Sequence, residues 1–180
     1  MLGENEYGQL GLGDNIDRLA PAKLSTIDNV AELALGFFYS CALDNNALVY
    51  CWGWNGSGQL GLGDTDDRST PTQVIALSSV SSIAAGDSHT CALDDLQQVW
   101  CWGFNGFGQL GLDDSSDRLV PTQVESSMEN VSQLALGDAH SCAIDGNGMV
   151  WCWGWNGYAQ LGLGANYTRY TPTMIPGFME

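Results

Sequence analysis

The chain has 180 residues and a net charge of −16, because 21 acidic residues face only five basic ones. A surface of this charge repels phosphate backbones, which proteins usually neutralise with Lys and Arg, so we expect neither nucleic acid nor an anionic membrane as a partner. Apolar residues make up 44% of the chain, with 23 Gly and seven Trp, which is typical of a packed, turn-rich β protein and excludes disorder. The sequence contains no run of about 18 apolar residues, so we expect no membrane-spanning helix.

One phrase organises the chain because it occurs four times. Its Gln-Leu-Gly-Leu core begins at Gln9, Gln59, Gln109 and Gln160, which gives a period of 50, 50 and 51 residues. A period of this length indicates a solenoid, a propeller or an array. The first copy lacks the segment that precedes the phrase elsewhere. We therefore predict one partial unit followed by three full units, at residues 1–26, 27–76, 77–126 and 127–180.

The partial unit supplies only a loop and a fourth strand, and each full unit is predicted to contain four strands. In the middle unit the strands are bounded by Gly, Asp and Pro turn residues and are rich in β-branched and aromatic residues. The polar turn Asp87–Thr90 separates the first two of them. Pro121 begins the last, a position that an edge strand tolerates. The four predicted strands are Val80–Gly86, Cys91–Asp94, Val99–Gly103 and Pro121–Val124. Four short antiparallel strands without helical periodicity predict an all-β propeller blade.

The six cysteines recur with the second and third strands of each unit. If these strands form a hairpin, the register that places Cys41 opposite Cys51 also places Leu43 opposite Val49, on one face of the sheet. Directly opposite residues at a non-hydrogen-bonded site have Cα atoms about 4.5 Å apart, at the short end of what a disulfide accepts. The predicted disulfides join Cys41 with Cys51, Cys91 with Cys101, and Cys142 with Cys152. Disulfides favour an extracellular or periplasmic location, and the alternative is reduced core cysteines in a cytoplasmic protein.

The repeated phrase is also similar to a known family. Trp-Gly-x-Asn-x-x-Gly-Gln-Leu-Gly-Leu-Gly-Asp, followed by Asp-Arg, Pro-Thr and Gly-x-x-His-Thr-Cys-Ala-Leu, resembles the repeat of the Regulator of Chromosome Condensation family over essentially the entire chain. The resemblance implies a seven-bladed propeller with the Ala84-Ala85-Gly86 strand innermost. The hairpin cysteines look like the secreted bacterial branch of these repeats, and together with the acidity they argue against the nucleotide-exchange role known elsewhere in the family.

Two departures from the repeat concern single residues. Tyr39 stands where the other units have His89 and His140, and Ala159 replaces Gly58 and Gly108. The alanine indicates that this site does not demand a backbone conformation restricted to glycine, although alanine at positive φ carries a cost.

Three blades do not fill a ring of seven, in which each blade covers about 51°. The first and last blades would then expose apolar faces, which proteins do not normally leave bare. Three explanations remain open: the chain is a fragment of a longer product, identical chains associate, or other chains fill the gap. We favour the fragment because the sequence starts inside a repeat and Met1-Leu2 leads into acidic residues, unlike a signal peptide.

Residues that recur once per unit are expected to build the unit, so we predict no catalysis. We interpret His89 and His140 as turn residues that hydrogen-bond a neighbouring blade. The Gly-rich loops lack the following helix and the lysine of a phosphate site. The acidic stretch Asp64–Asp67 contains ligands suited to calcium, but the matching stretches in other units have lost some of them, so neither a metal nor a cofactor is predicted.

Residues that differ between units are better candidates for binding. A row of aromatic side chains on successive loops provides rigid anchors for a protein partner. The candidates are Trp54, Phe104, Phe107, Trp155, Tyr158, Phe37, Phe38 and Tyr39. The alternative is that these rings pack between blades. The predicted function is extracellular protein recognition, with self-assembly into rings or filaments as one alternative. A carbohydrate-binding module, which requires exposed and coplanar Trp54, Phe104 and Trp155, is another.

Overall fold

The computed structural model describes residues 1–177, which form β-strands, turns and loops without an α-helix. The strands are β1 (Val30–Leu35), β2 (Tyr39–Asp44), β3 (Val49–Gly53), β4 (Arg68–Gln73), β5 (Val80–Ala85), β6 (His89–Asp94), β7 (Val99–Gly103), β8 (Arg118–Gln123), β9 (Gln133–Leu136), β10 (His140–Ile144), β11 (Val150–Gly154) and β12 (Arg169–Met174). Among these residues no helix offers the length and hydropathy needed to cross a bilayer.

The twelve strands form three separate four-stranded antiparallel sheets in which neighbours along the chain are neighbours in the sheet. We call these sheets the first (β1–β4), second (β5–β8) and third (β9–β12) blade. Their first strands are innermost, since β1 packs against β5 and β5 against β9. Ahead of the first blade, Gly3 pairs with Arg18 in a single bridge, and Met1 and Ala22 exchange backbone hydrogen bonds. The predicted all-β propeller of four-stranded blades is confirmed.

The predicted hairpin register and the three predicted disulfides are present. In the first blade, Leu43 lies opposite Val49, as the register requires. The paired cysteine Cα atoms are 4.2, 4.2 and 4.1 Å apart in the three blades. Because each bridge joins two strands that the hairpin already aligns, it fixes the register of the whole blade. The bonded pairs are Cys41 with Cys51, Cys91 with Cys101, and Cys142 with Cys152.

Two predicted strand boundaries were wrong. His89 and Thr90 belong to strand β6 and not to the preceding turn, because they pair with Gly103 and Trp102. The fourth strand begins at Arg118, three residues before Pro121. The register of β8 shifts between Arg118 and Thr122, so Pro121 lies in an irregular part of an outer strand, where the lack of a backbone N–H is tolerated.

The blades pack face to face through two equivalent apolar cores. Cys41, Leu43 and Val49 of the first blade pack with Ile83 and Trp102 of the second. The junction of the second and third blades repeats this arrangement with Cys91, Leu93, Val99, Leu134 and Trp153. The cysteine face of each blade therefore meets the tryptophan face of the next.

A backbone carbonyl in the Gln-Leu-Gly-Leu loop fastens each blade to the one that follows. The Gln59 carbonyl accepts hydrogen bonds from Trp102 Nε1 (2.9 Å) and Thr90 Oγ1 (2.8 Å). The Gln109 carbonyl accepts from Trp153 Nε1 and Ser141 Oγ, both at 2.8 Å. The partial unit does the same, through the Gln9 carbonyl with Trp52 Nε1 and Ser40 Oγ, both at 2.9 Å.

The histidine of the second unit, His89, belongs to the junction with the third blade. His89 Nε2 lies 2.9 Å from Ser141 Oγ. The serine hydroxyl gives its proton to the Gln109 carbonyl, so His89 donates from Nε2. The imidazole is neutral because burial disfavours its charged form. Burial lowers the pKa of His89 to about 3, and His140 adds to the shift. His89 thus bonds a neighbouring blade, as predicted, although from a strand.

Tyr39 performs the equivalent task in the first blade. Its hydroxyl donates to the His89 carbonyl (2.6 Å) and lies 2.9 Å from Thr90 Oγ1. Its side chain is 1% exposed, and burial raises the pKa of the phenol. The replacement of histidine by tyrosine therefore preserves the contact between blades.

Ala159 has φ +60°, so alanine adopts the left-handed conformation of its glycine counterparts, at the cost that a Cβ carries there. What differs is the surroundings. A Cβ on Gly108 would lie 2.6 Å from Tyr170 Cδ1 and 2.9 Å from Tyr170 Cα, in the outer strand of the next blade. The Ala159 loop belongs to the third blade, and the described residues include no outer strand of a following blade. The close approach seen at Gly108 is therefore absent around Ala159 in the described structure.

The burial of neutral His89 predicts acid destabilisation that tyrosine abolishes. The folded protein does not protonate His89 until about pH 3, whereas the unfolded chain takes up that proton near pH 6.5. The free energy of unfolding should therefore fall as the pH drops below 6.5, by about 2 kcal/mol between pH 7 and 5. In His89→Tyr, which copies Tyr39, this part of the loss disappears, as measured by urea unfolding at both pH values. A half-buried control, His140→Tyr, should change the pH dependence less. Equal pH dependence in wild type and His89→Tyr would contradict the assignment.

The glycine site predicts opposite effects at two equivalent positions. Gly108→Ala adds left-handed strain and a clash with the backbone of Tyr170, so it should lower the free energy of unfolding by more than about 2 kcal/mol. Ala159→Gly relieves strain at an open position and should raise it by up to about 1 kcal/mol. Urea unfolding with intact disulfides measures both. Small effects of equal size in both variants would show that the neighbouring outer strand is not the reason why glycine is required at position 108.

Candidate functional site

The predicted aromatic candidates, except Tyr39, lie at one end of the blades. In an antiparallel blade, the turn between the first two strands and the loop after the third strand lie at the same end. Backbone bonds join the two: Trp54 N donates to the Phe38 carbonyl (2.9 Å) and Trp155 N to the Ala139 carbonyl (2.8 Å). We call this end the aromatic face, and it comprises Tyr7, Phe37, Phe38, Trp54, Phe104, Phe107, Trp155 and Tyr158.

The sequence places the first aromatic residue of each loop over a glycine. A Cβ on Gly56, Gly106 or Gly157 would come within 2.7, 2.5 and 2.8 Å of the ring atoms of Trp54, Phe104 and Trp155. Each ring therefore lies against the backbone of its own loop and is half-buried. The loop supports the ring without removing it from the surface.

The second aromatic position of each loop is held by the glutamine of the repeated phrase. Gln109 Oε1 accepts a hydrogen bond from Phe107 N at 3.0 Å, and Gln9 Oε1 accepts one from Tyr7 N at 3.0 Å. The same contact in the last loop, from Tyr158 N to Gln160 Oε1, is 2.9 Å. The main-chain carbonyls of Gln9 and Gln109 fasten the next blade, so these residues connect the blade junction to the aromatic face.

A buried asparagine and an ion pair fix the remainder of each loop. Asn105 Nδ2 donates to the Asp114 carbonyl (3.1 Å), and Asn105 Oδ1 accepts from Leu110 N (3.0 Å). Arg118 Nη2 lies 2.6 Å from Asp114 Oδ2, and this contact, with the Ser116 amide, holds the pKa of Asp114 below its usual value. Equivalent pairs join Arg18 to Asp14 and Arg68 to Asp64. The repeated arginine thus pairs with a loop carboxylate in three of the four described loops.

The rings of the aromatic face form two clusters. In the first aromatic cluster, the Tyr7 centroid lies 5.0 Å from Phe38 and 6.4 Å from Trp54, and Phe38 lies 4.2 Å from Phe37. The second aromatic cluster contains Phe104, Phe107, Trp155 and Tyr158, with centroid distances of 6.0, 6.1 and 5.1 Å along the series. Ser57 occupies the position that bridges blades elsewhere, so it separates the clusters.

Exposure divides the predicted binding residues. Phe37 is 67% and Tyr158 84% exposed, and Phe107 is also exposed. Phe38 and the first rings of each loop are half-buried. The assignment of Tyr39 to a binding surface was wrong, because its ring is buried in the blade junction. For the other seven candidates, partner binding stays a prediction.

The orientation of the rings bears on the ligand. Neighbouring rings meet at interplanar angles between 43° and 79°, so they are tilted or edge-on. Sugar stacking needs flat, accessible ring faces, and the first rings of the loops, Trp54, Phe104 and Trp155, are half-buried. The clusters have the geometry of mutually packed aromatic anchors.

Two carboxylates that the sequence interpretation left out also lie at this face. Asp87 and Asp138 occupy the turns of the second and third blades, and they line one cavity with Phe37, Gly86 and Gly137. Burial raises the pKa of Asp87, and the charge of Asp138 raises it further. The signal was available in the repeat, since Phe37 stands at the position that is Asp87 and Asp138 in the later units.

The described residues hold no convergent metal site, since no three His, Cys, Asp or Glu side chains come together within 1–177. Both histidines have a pKa lowered by burial. The chemistry that this face offers is therefore that of aromatic edges and carboxylates.

Comparison with known proteins gives the family. The Regulator of chromosome condensation (RCC1) repeat model matches residues 1–43, 46–93, 98–144 and 147–180. The ultraviolet-B receptor UVR8 of Arabidopsis thaliana is 34% identical over 178 residues, which are 96% of this chain and 40% of that protein.

Solved structures share the fold. Human WBSCR16 is 28% identical with a TM-score of 0.85, over 97% of this chain and 46% of that one. Yeast RCC1 (Prp20), in a crystal with Kap60, is 23% identical with a TM-score of 0.87, over 98% and 44%. The chain spans less than half the length of these relatives. Because the repeat model matches nearly every residue in four consecutive copies, the chain belongs to the RCC1 repeat family.

Proposed function

We propose that the chain is an extracellular protein-recognition module that binds its partner through the aromatic face and performs no catalysis. The observation that supports this most is the pair of aromatic clusters, exposed at one end of the blades on loops that are fastened to the scaffold. Partly exposed aromatic side chains are the commonest anchors of protein interfaces.

The rigidity of the loops favours binding. A partner does not have to order Phe107 or Tyr158, because their backbones are already held by glutamine side chains. Trp155 rests on Gly157, which limits the orientations of its ring. Preorganised aromatic residues lose little conformational entropy on association, so more of the contact energy appears as affinity.

The proposed location rests on the disulfides. All six cysteines are paired, one bridge in each blade. Disulfides persist in oxidising compartments and are rare in the cytosol. An extracellular or periplasmic protein of the secreted bacterial type fits this pattern, and the net charge of −16 continues to argue against nucleic acid as the partner.

Self-assembly is a second candidate, supported by the two open blade faces. Leu33 is 51% exposed, whereas its counterpart Ile83, covered by a preceding blade, is 3% exposed. At the other end, Ile144 and Val150 are only half-buried. However, residues 1–22 already occupy the outer part of the first face, through the Gln9 carbonyl and Leu10. A third blade from another copy would carry its own loop and outer strand into the same place, so self-assembly requires displacement of that segment.

Substitution on the aromatic face should abolish partner capture. Phe107→Ser with Tyr158→Ser copies Ser57, the natural residue at the equivalent position, and keeps the backbone bonds to glutamine. Removing two anchors should weaken binding at least about tenfold. The measurement is the recovery of proteins from the native extracellular medium by immobilised wild type and variant, quantified by mass spectrometry.

The matched control is Ile75→Ser with Leu96→Ser, which changes two exposed apolar side chains at the opposite end of the blades. It should retain the proteins that the face variant loses. Equal recovery by wild type and face variant, or equal loss in both variants, would contradict recognition through the aromatic face. Urea unfolding shows that each variant is folded.

The location predicts the redox state of the native protein. Chain isolated with rapid acid quenching and thiol alkylation should contain no free thiols, as measured by intact mass before and after reduction. Six alkylated cysteines without reduction would overturn the extracellular assignment and favour a cytoplasmic protein with reduced cysteines.

A further inference from the structure

We propose that the segment recognised by the aromatic face carries a lysine or arginine between apolar side chains, and that Asp87 and Asp138 receive this cation between the two aromatic clusters. The inference rests on the proposed recognition function and names the chemistry of its partner.

Two backbone hydrogen bonds fix the position of Asp87 relative to the two aromatic clusters. Phe37 N donates to the Asp87 carbonyl (3.3 Å), and Phe104 N donates to the Ser88 carbonyl (2.9 Å). Phe37 belongs to the first aromatic cluster and Phe104 to the second. The turn that carries Asp87 therefore lies between the clusters, on the side of the gap left by Ser57. An extended segment that places apolar side chains on both clusters must pass over this turn.

The carboxylates at this point lack a cation from the protein itself. The ion pairs within the described chain are Arg18–Asp14, Arg68–Asp64 and Arg118–Asp114, all in the outer loops. None of them includes Asp87 or Asp138, which instead share a cavity. The mutual effect of the two charges is unfavourable, because Asp138 contributes to the raised pKa of Asp87. An ammonium or guanidinium group between them would relieve this repulsion.

Charge and neighbouring aromatic surface both select a cationic segment. With a net charge of −16, the chain attracts basic segments and repels acidic ones at long range. The exposed ring of Phe37 lines the same cavity as the carboxylates. A cation that reaches the carboxylates can therefore also contact the ring, which is a favourable arrangement for lysine and arginine.

The cavity is better suited to a side-chain cation than to a metal ion. Divalent cations need several converging oxygen ligands, and within residues 1–177 no three ligating side chains converge. Two carboxylates beside an aromatic ring instead match the mixed polar and apolar character of a lysine or arginine side chain.

The test is a selection of random peptides displayed on phage. Wild-type protein is the bait, and peptides that also bind the Phe107→Ser, Tyr158→Ser variant are removed. We expect the enriched peptides to carry lysine or arginine flanked by aromatic or aliphatic residues. For a synthetic peptide of this group, Asp87→Asn with Asp138→Asn should weaken binding roughly tenfold and flatten its dependence on salt.

The control removes two charges at the opposite end, through Asp95→Asn with Glu129→Gln, and has the same net charge as the test variant. It should bind the peptide within about twofold of wild type, since distant exposed charges are screened. Enriched peptides without basic residues, or equal affinities for both charge variants, would overturn the inference and leave recognition by the aromatic face intact. Failure to enrich any peptide over the face variant would overturn both.

Discussion

The main-chain carbonyl of the repeated glutamine is the contact on which the propeller arrangement depends. At Gln59 it accepts from an indole N–H and a hydroxyl of the next blade, both of them buried. An unpaired buried carbonyl costs about 1–3 kcal/mol, so the loop must reach the following blade to be stable. The apolar cores drive the packing of neighbouring blades. The hydrogen bonds to the glutamine carbonyl fix the position of one blade relative to the next.

The aromatic face follows from that constraint. The main chain of Gln109 is held in place by the hydrogen bonds that its carbonyl accepts from Trp153 and Ser141. The side chain of Gln109 therefore starts from a fixed position, and its Oε1 accepts a hydrogen bond from Phe107 N. Two successive hydrogen bonds through Gln109 thus connect the exposed Phe107 to the blade junction. This arrangement lets the sequence change the exposed ring, as it does from Phe107 to Ser57, without disturbing the scaffold. Recognition residues on loops are usually mobile, but here the contact that builds the fold also orders them.

The sequence predicted the fold because its strongest signals are periodic. The spacing of the glutamines gave the units, and the cysteine spacing gave the hairpin register, which Cys41 and Cys51 confirm. Features that depend on contacts between blades could not be predicted from the sequence. Tyr39 looked like a surface aromatic because the group to which its hydroxyl donates, the His89 carbonyl in the next blade, is 50 residues away. The proximity of Asp87 to Asp138 and Phe37 was missed for the same reason, since only the packed turns bring these residues to one cavity.

Differences between the repeats fall into two physical classes, and only one bears on function. Tyr39 for His89 keeps a bond to the next blade, and Ala159 for Gly108 occurs where the described structure has no neighbouring strand to clash with. Both changes are explained by packing alone. Phe37 for Asp87 and Ser57 for Phe107 alter side chains that face outward and leave every bond between blades in place. Packing between blades therefore does not dictate these outward residues, and for this reason the proposed recognition surface is assigned to them.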